Sequence, residues 1–209
     1  MDKREKLKQF PLFKDLSPRE IEIISQVVKE EILPAHTNII EQDGQSNLAY
    51  FIQEGGTKVY RISEDGEEVN LAVLGEGEVV GEMALIDDEP RSANVDTIQE
   101  TKVFILSRTD FNRILISNPE VAISLLKTFA KRVRNTNEHV EDILSRNLGE
   151  RTWKVLLSLA NYFPNKDINL SQEELAGIIG ATRARVTEVL NDLQTQGKII
   201  LSHRNIHLN

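Results

Sequence analysis

Residues 171–197 read SQEELAGIIGATRARVTEVLNDLQTQG, and no other segment of the chain constrains the architecture so tightly. Ser171-Gln172-Glu173-Glu174 is a capping box, so a short helix is expected over Glu173–Ile179. Gly180-Ala181 makes a turn, Thr182 caps a second helix running to about Gln196, and Gly197 ends it. Two helices crossing steeply through a tight turn need a small residue where they touch and a residue tolerant of positive φ in the turn. Ala176 meets the first demand and Gly180 the second, while Leu175, Ile179, Val186, Val189, Leu190 and Leu193 supply an inward face. The second helix turns Arg183, Ala184, Thr187, Glu188 and Asn191 outward, with Arg185 on the flank. Arg and Asn pair bidentately with guanine and adenine in a major groove, and Glu can accept from cytosine N4. Ser171, Thr182, Arg183, Arg185, Thr187, Glu188 and Asn191 are therefore the candidate DNA-facing residues. A helical hairpin used only for packing is the alternative. Against it, Ile199–Leu201 and Asn205–Leu208, separated by Ser202-His203-Arg204, look like a small hairpin of the kind that flanks a winged helix.

Upstream, Trp153, Val155, Leu156, Leu159 and Ala160 suggest another helix, followed by a polar loop at Pro164-Asn165-Lys166-Asp167. Before that, from Pro119, the apolar period is that of a long helix. Ala122, Leu126, Phe129, Val133, Thr136, Val140 and Ile143 recur at alternating intervals of four and three residues, with Lys131, Arg132, Arg134, Glu138 and Glu141 off the seam. A lone helix could bury such a seam against its own domain. Its narrowness, its length and the flanking charges favour a two-stranded coiled coil, hence a homodimer. A break and hinge are expected around Ser145–Gly149, where Asn147 falls next on the seam and Gly149 lowers helix propensity.

Nearer the N-terminus, Leu16-Ser17-Pro18-Arg19-Glu20 opens a helix, with Ser17 as cap, Pro18 first and Glu20 completing a capping box, and Ile21, Ile24 and Val28 follow at helical spacing. After Pro34 come short segments rich in Ile, Val, Tyr and Phe: Asn38–Ile40, Leu48–Gln53, Lys58–Ile62, Glu68–Leu74, Ala93–Thr97 and Lys102–Ser107. Gly55-Gly56, Asp65-Gly66 and Gly75-Glu76-Gly77 separate them, and Asp65-Gly66 is a strong hairpin signal. Many short strands at regular spacing predict an antiparallel sandwich or barrel.

Composition narrows the function classes. The 209 residues contain no cysteine, which fits a reducing cytoplasm and excludes disulfide frameworks, thiolate metal sites and thiolate-held iron–sulfur clusters. No stretch approaches a bilayer span, and the start Met1-Asp2-Lys3-Arg4-Glu5 precedes no secretory h-region, so a cytoplasmic protein with no membrane partner is expected. The net charge of −8 is uneven: residues 150–209 carry +1 and the remainder −9. No nucleophile elbow, metal-ligand spacing or P-loop is present, and His36, His139, His203 and His207 form no ligand cluster in sequence. Neither catalytic nor metal residues are assigned, and no catalytic cofactor is expected.

One further segment carries chemistry: Gly81-Glu82-Met83-Ala84-Leu85, followed by Pro90-Arg91-Ser92-Ala93. It holds the parts for a sugar phosphate, namely an Arg for the anion, a hydroxyl beside it, and a carboxylate for a ribose hydroxyl. Gly81 and the small Ala84 let a ligand approach the backbone. On physical grounds alone, Glu82 and Arg91 could equally form a structural ion pair. The segment closely resembles the phosphate-binding cassette of cyclic-nucleotide-binding domains, and the chain from about Phe10 onward resembles the Crp–Fnr family (catabolite activator type). That resemblance implies an α+β chain: an antiparallel β-roll (double-stranded β-helix or jelly roll) over residues 1–117, a dimerisation helix and hinge over 118–146, and a winged helix-turn-helix over 147–209.

It also implies an effector-responsive transcription regulator, with Glu82 on the ribose 2′-hydroxyl and Arg91 and Ser92 on the cyclic phosphate. Thr136 and Asn137 would read the base, the second from the partner subunit, with Arg132 one turn earlier facing the same pocket. Polar Thr136 suits a ligand at a dimer interface, or else a register-setting residue. Cyclic AMP is the expected effector; Asn137, a serine in the catabolite activator, makes cyclic GMP equally plausible, since an amide can donate or accept. Ala184 and Glu188 replace a glutamate and an arginine of the family's pattern, so its usual half-site is not carried over. The implied partners are double-stranded DNA bearing a palindromic operator, a second copy of the chain, and RNA polymerase. The alternatives are a family member active without a cyclic nucleotide or sensing another effector, and a nucleotide-binding interaction protein that restrains a partner enzyme.

Overall fold

The computed structural model describes residues 2–45, 47–64, 66, 68–145, 147–202 and 205–209, the side chains of His139, residues 142–145 and Pro164 being outside the description. The chain forms two compact units, Met1–Lys58 with Leu74–Arg134, and Val59–Val73 with Asn135–Asn209.

The first unit opens with two helices, α1 (Lys3–Gln9) and α2 (Pro18–Val27). The Ser17–Glu20 capping box forms as the sequence predicts, with the Ser17 amide donating to Glu20 Oε2 at 2.7 Å. Eight strands follow along the chain, most of the fourth and fifth falling in the second unit: β1 (Lys29–Leu33), β2 (Asn38–Ile40), β3 (Leu48–Glu54), β4 (Gly56–Ile62), β5 (Glu68–Gly75), β6 (Val79–Val80), β7 (Asn94–Thr97) and β8 (Thr101–Ser107). They pair in the orders β1-β8-β3-β6 and β2-β7-β4-β5, so the chain passes repeatedly between two four-stranded sheets, the winding of a roll. All six expected strands are present within a residue or two at their ends. The short β1 and β6 were not anticipated, because Glu30 and Glu31 and a two-residue run hide their character. Gly66 has the positive φ, 81°, that a hairpin turn requires, whereas Asp65 lies outside the described residues.

One face of the β1-β8-β3 sheet is the core. Ala49, Phe51, Phe104 and Leu106 are buried beneath Leu7, Phe10, Phe13, Ile21 and Ile24 from the N-terminal segment. Phe51 and Phe104 are register partners on neighbouring strands, and Phe10 and Phe13 lie 5.7 and 5.2 Å from the Phe51 ring. Helix α4 (Arg108–Ser117), capped by Ser107, adds Phe111 and Ile114, and helix α5 (Pro119–Ser145) adds Val121 and Leu125.

That last pair settles how α5 is seated. Val121 and Leu125 sit one residue before the seam positions Ala122 and Leu126, so the helix docks on its own domain with a neighbouring stripe. Leu126 and Val133 remain 64 % and 59 % exposed, and Val140 further on is exposed too. Burial of the whole seam within its own domain is thereby overturned; among the described seam residues, Phe129 alone packs partly against the core. Ile143 lies outside the residues whose side chains are described.

In the second unit, α6 (Leu148–Leu159) is separated from the end of α5 by two residues. Asn147 caps it, its Oδ1 accepting from the Glu150 amide at 3.0 Å. The expected break is thus a helix restart with its own cap, although Arg146 within it lies outside the description. Helices α7 (Gln172–Ile179) and α8 (Arg183–Thr195) follow, then strands β10 (Ile199–Ser202) and β11 (Asn205–Leu208), the turn His203-Arg204 lying outside the described residues. The stretch around Asp167, expected as loop, supplies a third strand, β9 (Asp167–Ile168): Ile168, fully buried, pairs with Ile206. Two residues are too few for a periodic signal, so only the sheet reveals it.

Candidate ligand pocket and DNA-reading face

The cassette runs from β6 through Gly81 into a one-turn helix, α3 (Met83–Ile86), and returns through Arg91 to β7. Gly81 is required twice over. Its φ is 79°, and a Cβ there would lie 2.6 Å from Arg91 Nη1 and 2.8 Å from Ile40 Cδ1. Glu82 is 1 % exposed and Arg91 2 %. Their partners differ from the structural ion pair considered above, for among the described residues no ion pair joins them. Glu82 Oε1 accepts from Arg132 Nη1 at 2.5 Å, and Arg132 Nη2 donates to the Val79 carbonyl at 2.5 Å. Arg91 instead donates through Nη1 to the Gly81 carbonyl and through Nη2 to the Leu48 carbonyl at 2.6 Å.

Burial pushes the Glu82 carboxyl above the ordinary carboxylate range, and the Arg132 charge only partly offsets it. Burial likewise lowers the Arg91 guanidinium. The structure therefore brings Gly81, Glu82, Ala84, Arg91 and Arg132 together, with Ala84 buried and Met83 half exposed. Ser92 is exposed, its hydroxyl 4.0 Å from the Met83 sulfur. Thr136 and Asn137 stand four and five residues beyond Arg132 along α5, in the second unit, both exposed. Sequence reasoning missed Arg108, which braces the cassette by donating to the Ala84 carbonyl at 2.8 Å and pairing with Asp88. Nothing in the local sequence around Arg108 signals that reach.

In the second unit, Gly180 takes the left-handed conformation, φ 72° and ψ 50°, and the Gly180 and Ala181 amides both close on the Ala176 carbonyl. Ala176, Leu175, Ile179, Val186, Leu190 and Leu193 are buried, as the motif requires. Thr182, Arg183, Ala184, Arg185, Glu188 and Asn191 are exposed along one end and side of α8, and Thr187 is half-buried. Ser171 has a structural duty, its hydroxyl accepting from the Glu174 amide at 3.1 Å and donating to Glu174 Oε2 at 2.7 Å. Two residues not assigned from sequence join this face. Gln172 Oε1 lies 2.6 Å from the Thr187 hydroxyl, and Glu173 Oε2 lies 3.9 Å from Arg183 Nε. Both sit in the capping-box segment, where the cap alone accounts for the pattern.

Comparison with known proteins agrees with this layout. Residues 30–118 match the family model of the cyclic nucleotide-binding domain, and residues 150–209 that of the Crp-like helix-turn-helix domain. The chain is 27 % identical over 202 residues to the CRP-like cAMP-activated global transcriptional regulator of Mycobacterium tuberculosis, covering 93 % of this chain and 90 % of that one. It is 30 % identical over 166 residues to the global nitrogen regulator of a Nostoc species, covering 75 % and 74 %. Among solved structures, the c-di-GMP responsive global regulator CLP of Xanthomonas campestris shares the fold, with a TM-score of 0.77 at 20 % identity over 92 % of this chain and 99 % of that one.

Proposed function

We propose, from the premise that this chain belongs to the Crp–Fnr family of DNA-binding transcription regulators, that its input is a cyclic nucleotide, cyclic AMP or cyclic GMP, held at Glu82 and Arg91. Glu82 carries this reading: a carboxylate 1 % exposed, with one Arg132 hydrogen bond at 2.5 Å. Keeping such a group ionised is costly, and a perturbed buried carboxylate beside a second buried charge marks a site of use. Glu82 would accept from the ribose 2′-hydroxyl. Arg91 would exchange its two carbonyl acceptors for the cyclic phosphate, with Ser92 adding a hydroxyl donor. Thr136 and the partner's Asn137 would read the base at the coiled-coil seam, with the exposed Leu126, Val133 and Val140 buried against a second copy.

Ligand bridging that seam would bias the placement of the two α8 helices and so set operator affinity. By reciprocity, operator would tighten nucleotide binding by the same factor, typically ~5–150-fold. A two-fold dimer would present its reading helices to half-sites about 34–36 Å apart, hence a palindromic operator. The regulator would act in the cytoplasm with RNA polymerase, as the M. tuberculosis relative's description as a transcriptional regulator suggests.

Calorimetry against both nucleotides tests the reading. Wild type should bind one of them, and Arg91→Ala should weaken it at least ~30-fold, given the ~2–5 kcal/mol lost with a charge-assisted contact. No heat with either at millimolar concentration would defeat it. A second reading, a regulator active without a cyclic nucleotide, is favoured by one observation: Arg91 Nη1 and Nη2 already rest on two carbonyls, although its buried Nε is left without a partner among the described residues. Operator affinity unchanged by saturating nucleotide would decide for it.

A further inference from the structure

We propose that Gln172, at the first position of α7, is a specificity-determining residue of the DNA reader: it fixes the Thr187 side chain on α8 so that the Thr187 methyl meets a thymine. The inference rests on α8 being the helix that enters the major groove.

The Thr187 hydroxyl has two neighbours, Gln172 Oε1 at 2.6 Å and the Arg183 carbonyl, one turn back, at 2.9 Å. A hydroxyl has a single proton and cannot donate to both. The oxygen and nitrogen of a glutamine amide occupy equivalent positions, and the hydrogen-bond network decides between them. With the amide turned, both contacts are satisfied: Thr187 donates to the Arg183 carbonyl and accepts from the Gln172 amide nitrogen. Threonine in a helix otherwise divides between two side-chain rotamers, because its hydroxyl can bond back to the preceding turn or leave it. A contact from α7 on the other side of the oxygen removes that freedom.

The hydroxyl is then engaged within the protein, in a half-buried position, and the group left for a base is the γ-methyl. A threonine or alanine methyl is the apolar partner of the thymine C5-methyl. Ala184, three residues earlier on the same face of α8 and exposed, adds a second methyl beside it. Glu173 is a weaker restraint on this face: it lies 3.9 Å from Arg183 with both side chains more than half exposed. The Gln172 contact therefore carries the coupling between α7 and the reading surface.

The test is selection of randomised operators by the full-length wild type, Gln172→Ala, Thr187→Ser and the double variant. Thr187→Ser keeps the hydroxyl and loses the methyl. Each single variant should relax preference at the same T·A position of each half-site by about tenfold. The double variant should relax it no further, since the two act as one unit. The base chosen by Arg183 should be unchanged throughout. Gln172→Glu, which keeps the reach and lacks the amide donor, should relax the same position and serves if Gln172→Ala melts early. An unchanged consensus from the Gln172 variants, or equal weakening on all sequences, overturns the inference and leaves a packing contact between helices. A wild type that enriches no sequence at all overturns the reader itself, and that outcome is distinct.

Discussion

Arg91 and Arg183 are the two arginines that the proposed function sends to a phosphate and to a base edge, and the fold treats them oppositely. Arg91 is 2 % exposed and clasped by two backbone carbonyls. The Arg183 side chain is 66 % exposed, with the Glu173 carboxylate 3.9 Å away. Burial is the difference. A guanidinium removed from water must have acceptors or destabilise the fold, so the pocket arginine is built into the sheet before any ligand arrives. A guanidinium left in water needs none and waits for its partner. On the proposed function, ligand binding in the pocket would exchange internal contacts for external ones, whereas DNA binding would add contacts to an exposed face.

Mutation breaks this comparison most directly. Arg91→Ala should lower unfolding stability by about 2–4 kcal/mol, because the Leu48 and Gly81 carbonyls lose their donor inside the roll. Arg183→Ala should change it by less than about 0.5 kcal/mol while losing a guanine from the selected operator. Urea titrations of both variants check the contrast, and equal losses would mean the two environments do not differ as described. Next in size is salt. Raising it from 50 to 200 mM should weaken operator binding at least ~10-fold through counterion release. Nucleotide binding should change much less, because the pocket charges are shielded from ions. Comparable slopes from anisotropy and calorimetry would place Arg91 at the surface.

The α5 faces offer a parallel contrast. Val133→Glu should turn dimer into monomer at micromolar concentration in sedimentation, with little loss of monomer stability, since Val133 is 59 % exposed. Leu125→Glu should unfold the first unit instead, costing several kcal/mol for a charge buried without a partner. The smallest expected effect is on pH. Glu82 has a carboxyl raised by burial, so the folded state takes up a proton there more readily than the unfolded chain does. Stability from this group is fully present below the ordinary carboxylate range and is lost as pH rises through the raised value. As pH rises above the ordinary carboxylate range, wild type should thus lose more stability than Glu82→Gln. Parallel melting curves for the two would indicate an unperturbed Glu82.

Glu188 divides two readings of α8. It is exposed on the outward face, and on the proposed function it would either accept from a cytosine amine or repel wrong sequences. Glu188→Ala should relax one base per half-site by ~1–3 kcal/mol in the first case and tighten binding to all sequences in the second.

Period and punctuation determined a good deal by themselves. Alternating apolar residues bounded by glycines marked six strands of the roll, Ser17 and Ser171 marked helix starts, and Gly180 marked the turn of the helix pair, because each of these depends on backbone preferences a few residues long. Sequence also singled out Glu82, Arg91 and Arg132 as residue types. It left open which of them pair, since partners 50 residues apart, such as Arg132 and Glu82, are chosen by where strands and helices pack. The tertiary structure alone decided that Arg91 rests on carbonyls and not on Glu82, that α5 seats itself by Val121 and Leu125 and leaves Leu126 and Val133 uncovered, and that Gln172 reaches Thr187. In each case the deciding quantity is burial or a contact distant in sequence, and local propensity carries no record of either.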